Sequence, residues 1–70
     1  MLGRILKETR EAAGLTQEAL ALSAGVDRSY VSQLERDIKS PTVQMLFRLC
    51  ESLKVRPSTV IARLEQAPRP

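Results

Sequence analysis

Residues 15–35 read LTQEALALSAGVDRSYVSQLE, and this stretch decides the fold. Two helix-forming patterns meet there at a single glycine, Gly25, with no room for a long connection. The first opens at Thr16, a natural N-cap, runs to Ala24 and buries Leu20 and Ala24. Gly25 ends it where the chain needs a positive φ. Asp27 then stands as the N-cap of another helix, over about residues 28–36. At about 100° per residue, Val31 and Leu34 share the inward side of that helix. Ser29, Ser32, Gln33 and Arg36 lie on the opposite side, with Arg28 on one flank and Tyr30 on the other.

Working outward, breaks near Gly14, Gly25, Lys39–Pro41 and Val55–Pro57 divide the chain into five helical segments. Apolar/polar alternation persists nowhere, so strands are not expected and the fold class is all-α. The first helix, about residues 2–13, sets Leu2, Ile5, Leu6, Thr9, Ala12 and Ala13 on one stripe and is stopped by Gly14. The fourth, about 42–54, starts at Thr42 and turns Val43, Leu46, Leu49, Cys50 and Leu53 inward. The fifth, about 57–66, opens with Pro57 at its first position, where a missing N–H costs nothing. Its apolar residues are Val60, Ile61 and Leu64, of which Ile61 reaches the core and Val60 and Leu64 stay partly free. Residues 1–66 therefore read as one domain and residues 67–70 as a disordered end.

Seventy residues suffice for one small domain of marginal stability. The composition, 43% hydrophobic and 27% charged, is that of a globular chain. With Tyr30 and Phe47 its only aromatics, the core must be aliphatic. No apolar run reaches membrane-spanning length and the start is too charged for a signal peptide, so the expected location is the cytoplasm. One cysteine and no histidine leave no route to an internal disulfide and remove the usual general base and the usual metal ligand. No enzyme, cofactor or small-molecule ligand is expected. A net charge of +3 is compatible with a polyanionic partner. The polar side of the third helix suits base edges and the phosphates beside them.

The set Gln17, Leu20, Ala21, Ala24, Gly25, Val26, Val31 and Leu34 resembles, at matching spacing, the helix-turn-helix of the Cro and lambda-repressor type, the XRE-like family. The resemblance covers roughly residues 4–66 and implies a compact five-helix lambda-repressor-like domain that binds double-stranded DNA. Carried over residue by residue, it implies that Gln17 bonds a phosphate and that Arg28, Ser29 and Gln33 touch base edges. Tyr30, Ser32 and Arg36 would contact bases or backbone nearby, and Lys39 and Ser40 would grip phosphates. Arg10 and Glu35 match a partly buried ion pair joining the first helix to the third. The run DRSYVSQLER is also similar to restriction–modification controller proteins, small regulators that bind their own promoters as dimers. Asp37 and Lys54 stand where family members often have glycine, so both are expected to take a left-handed conformation.

Residues 27–40 set Arg28, Arg36 and Lys39 against Asp27, Glu35 and Asp37, so this surface is only mildly positive, and Asp37 opposes phosphate binding unless it points away. One copy should therefore bind modestly. Met45, Phe47, Val60 and Leu64 are the apolar residues expected to pair two copies into a homodimer, and the family dimerises through this region. Cys50 reads as a small buried hydrophobe. A rival class remains open: a protein-interaction module, such as an antitoxin or anti-regulator, centred on Leu22, Met45, Phe47 and Leu64.

Overall fold

Five helices follow one another in a computed structural model that describes residues 1–68: α1 (Leu2–Ala12), α2 (Gln17–Ala24), α3 (Arg28–Glu35), α4 (Val43–Leu53) and α5 (Pro57–Gln66). The disordered end expected over residues 67–70 lies in part outside the described residues; Ala67 is the C-cap of α5. The all-α expectation holds, with every helix boundary within about a residue of its expected place.

Two of the helices are started by a threonine at the N-cap. The Thr16 hydroxyl accepts from the Ala19 N–H at 3.0 Å, and the Thr42 hydroxyl from the Met45 N–H at 3.1 Å. Each satisfies one of the orphan donors of a first turn. Asp27 occupies the N-cap position of α3, but its side chain makes no cap hydrogen bond, contrary to expectation.

Four helices stop in one way. A residue at positive φ reverses the chain, and the next N–H reaches back five residues, closing the last turn. The pairs are Leu15 to the Arg10 carbonyl around Gly14, Val26 to Ala21 around Gly25, Ile38 to Gln33 around Asp37, and Val55 to Cys50 around Lys54. At Asp37 and Lys54 the left-handed conformation expected there is found, with φ of 58° at both.

The core is Ile5, Leu6, Leu20, Ala21, Ala24, Val31, Leu34, Leu46, Leu49, Cys50, Leu53 and Val60. Apart from Cys50 it is aliphatic, and each large member contributes about 1.5–3 kcal/mol by leaving water. α2 packs on α3 and α4, while α1 packs on α3 and α5. Thus α3 is held from two sides and its remaining side is left open.

Three expectations about facing are corrected. Val60 is 1% exposed and Ile61 46%, the reverse of the assignment made from sequence. Val60 and Leu64 stand four residues apart on the side that α5 turns to the core, which leaves no inward place for Ile61. Val60 therefore cannot serve as a free interface residue. Val43 is exposed because it sits in the first turn of α4, ahead of the buried row that begins at Leu46. Ala12 and Ala13 are also exposed, at the rim of a groove between α1 and α5 that Val55 and Thr59 help to line.

Candidate nucleic-acid interface

Anchoring comes before display. Val31 and Leu34 are each 2% exposed, and with them α3 is pinned to the core. The spacing of 29, 32, 33 and 36 puts Ser29, Ser32, Gln33 and Arg36 along the other side of the helix. Arg28, Ser29 and Arg36 are exposed, and Ser32 and Gln33 are half-buried. Tyr30 is half-buried and packs against the core, so only part of it faces outward. Lys39 and Ser40 are exposed in the loop that follows α3. Hence Arg28, Ser29, Ser32, Gln33, Arg36, Lys39 and Ser40 fall on one helix and its outgoing loop.

Gln17 joins this group through a network beneath it. Arg10 is 8% exposed and donates from Nε to Glu35 Oε2 at 2.7 Å and from Nη2 to Glu35 Oε1 at 3.1 Å. Its Nη1 donates to the Leu15 carbonyl at 2.7 Å. The ion pair expected between the first and third helices is therefore present, and it is bidentate. The hydrogen bond from Arg10 to Glu35 holds the guanidinium above its usual pKa, against the desolvation that burial brings. Gln17 Nε2 donates to the same Glu35 Oε1 at 3.0 Å. One amide hydrogen of Gln17 is thus committed within the protein, which leaves the second as a donor at the start of α2.

Asp37 points away from the open side of α3. Its carboxylate accepts from the Met1 ammonium at 2.8 Å and from the Gly3 N–H at 2.9 Å, so it caps the start of α1. The hydrogen bond from the Met1 ammonium, with that from Gly3, holds the carboxyl below its usual pKa. Two of the three acidic groups in residues 27–40 are therefore compensated, Glu35 by Arg10 and Asp37 by the start of α1. Asp27 is then the remaining acidic group of this stretch against Arg28, Arg36 and Lys39, so the stretch is more positive than a count of its charges indicates.

Several residues that hold this arrangement had no role in the sequence reading. Gly3 is buried in α1, and a Cβ on it would stand 2.5 Å from the carbonyl oxygens of Leu34 and Glu35. The available signal was a glycine inside an otherwise apolar helical stripe, where it lowers helix propensity. Arg48, on α4, donates from Nη2 to the Ala24 carbonyl at 2.6 Å and so satisfies the end of α2. Ser23 and Ser52 add a hydroxyl bond of 3.1 Å between the same two helices. Neither signalled itself in the sequence. Cys50 is fully buried, and desolvation pushes its thiol pKa up, which disfavours the reactive thiolate.

Residues 6–60 match the family model described as helix-turn-helix. The chain is 38% identical over 56 residues to the HTH-type transcriptional regulator SlrR of Bacillus subtilis, covering 79% of this chain and 37% of that protein. It therefore spans about a third of the length of that relative. Among solved structures, it is similar to the restriction–modification controller protein C.AhdI of Aeromonas hydrophila, with a TM-score of 0.81 and 37% identity, covering 84% of this chain and 89% of the other. A structure of SinR, the master regulator for biofilm formation, in complex with DNA has a TM-score of 0.81 and 34% identity, covering 87% of this chain and 98% of that one. The five-helix arrangement is the expected lambda-repressor-like one.

Proposed function

Because the chain belongs to the helix-turn-helix family of XRE-type DNA-binding transcriptional regulators, we propose that it acts as a homodimer on an inverted-repeat operator, with α3 in the major groove. The observation that carries this reading is the open polar side of α3 above an anchored apolar one, with Glu35 and Asp37 compensated inside the fold. Arg28, Ser29 and Gln33 read base edges, Arg28 being suited to guanine while Ser29 and Gln33 can donate and accept alike. Tyr30, Ser32 and Arg36 contact bases or the adjoining backbone. Gln17, Lys39 and Ser40 hold phosphates and set the register of the helix.

The apolar residues left for a second copy are Phe47, 57% exposed, and the partly buried Met45 and Leu64. A two-fold arrangement puts two α3 helices about 34 Å apart, one turn of duplex. The likeness to SinR, solved with DNA, and to a controller protein supports this use of the fold.

Selection of bound duplexes from a random pool tests the proposal. A palindrome with half-sites about one helical turn apart is the expected outcome. Arg28→Ala should then cost about 1–3 kcal/mol of discrimination at one base pair. Recovery of no preferred sequence, with salt-insensitive capture of other proteins instead, would replace DNA recognition with a protein-interaction role.

A further inference from the structure

Asp37 is the point where three parts of the molecule are fastened together. Its carboxylate takes the N–H of Gly3 and the Met1 ammonium, both on α1 or at its start. Its own N–H donates to the Leu34 carbonyl at 3.1 Å, at the end of α3. The next two residues, Ile38 and Lys39, both donate their N–H groups to the Gln33 carbonyl, at 2.9 and 3.3 Å. On the far side, Gly3 lies against the carbonyls of Leu34 and Glu35 with no space between. The loop carrying Lys39 and Ser40 is thus tied to the same peptide unit that carries the Gln33 side chain, and the tie is locked from below by α1.

We infer that Asp37 is a positioning residue for the phosphate-gripping loop, fixing Lys39 and Ser40 in register with Gln33 by fastening the α3–α4 connection to the start of α1. This deepens the DNA-binding reading and rests on it. A backbone at φ 58° could be held more cheaply by glycine, so the carboxylate is what this position adds. It is an acidic group that serves a DNA-binding loop without facing the DNA.

The test uses the whole chain with two variants. Asp37→Gly keeps the left-handed backbone and removes the carboxylate; Asp37→Asn keeps an acceptor for the Gly3 N–H without the charge. In the free protein, amide hydrogen exchange at Gly3, Ile38 and Lys39 should quicken several-fold in Asp37→Gly and less in Asp37→Asn, while that at Leu49 follows global stability. On the selected duplex, Asp37→Gly should flatten the salt dependence by about 0.9, the share of one phosphate contact. Lys39→Ala should do the same, and the double variant should lose little more than either alone. A purely structural role would leave the salt slope unchanged and make the two losses additive, and either result overturns the inference. So does wild-type exchange at Lys39 in Asp37→Gly. A wild-type chain that selects no duplex instead overturns the DNA-binding reading, and the exchange measurement then still decides whether Asp37 holds the loop.

Discussion

Gly3 and Glu35 touch through backbone: a Cβ at position 3 would stand 2.5 Å from the Glu35 carbonyl oxygen. Two effects of Gly3→Ala oppose each other. Alanine favours the helix by about 0.5–1 kcal/mol over glycine. Overpacking costs about 1–3 kcal/mol, and here the obstructing atoms are peptide carbonyls that cannot rotate away. Overpacking wins, and a net loss of about 1–2 kcal/mol in urea unfolding is expected. An alanine variant as stable as the parent would show that α1 and α3 are not in this register.

The Glu35 carboxylate receives Arg10 and Gln17 together, and its side chain is only 4% exposed. Glu35→Gln leaves the Arg10 guanidinium buried without a counter-charge. A loss of about 3 kcal/mol is expected, the cost of an uncompensated buried ion. Replacing both members, as Arg10→Met with Glu35→Leu, should recover a large part of that loss, because desolvation is then removed with the attraction. Denaturation of Arg10→Met, of Glu35→Leu and of the double variant forms a cycle that separates the two contributions. Full additivity would sink the account.

Local chemistry made much of this architecture legible. Thr16, Thr42 and Pro57 marked starts, Gly14 and Gly25 marked ends, and the apolar spacing of Val31 and Leu34 gave α3 its inward side. Rotation about a helix axis was harder where apolar residues are adjacent in sequence. Val60 and Ile61 differ by only 100°, and the docking of α5 chose between them. Contacts between distant backbones, such as Gly3 with α3, leave almost no trace in a sequence. Nor does a charge reveal its partner: Asp37 read as an obstacle to phosphate binding until its carboxylate was found at the start of α1.

That same carboxylate makes stability depend on pH in a definite direction. Its pKa in the fold lies below the ordinary 3.8, so the unfolded chain holds the proton more tightly. Its contribution is therefore complete above that ordinary value and lost as pH falls through the lower, folded one. Wild type and Asp37→Asn should differ in unfolding free energy at neutral pH and converge in acid. A difference that persists unchanged well below pH 3.8 would mean that the ionised carboxylate is not what stabilises the contact.

Lys54 and Asp37 share φ of 58°, yet replacing each with glycine should have different results. A side chain in the left-handed region costs about 1–2 kcal/mol, whereas glycine loses about 0.5–1 kcal/mol more chain entropy on folding. Lys54 is exposed and follows the last turn of α4, so relief of the backbone dominates there. Lys54→Gly should gain about 0.5–1 kcal/mol, read as a higher urea midpoint with an unchanged slope. At Asp37 the same relief is offset by the loss of two hydrogen bonds to the start of α1, so the gain should be absent or reversed. If both glycine variants gained equally, the Asp37 carboxylate would contribute nothing to stability.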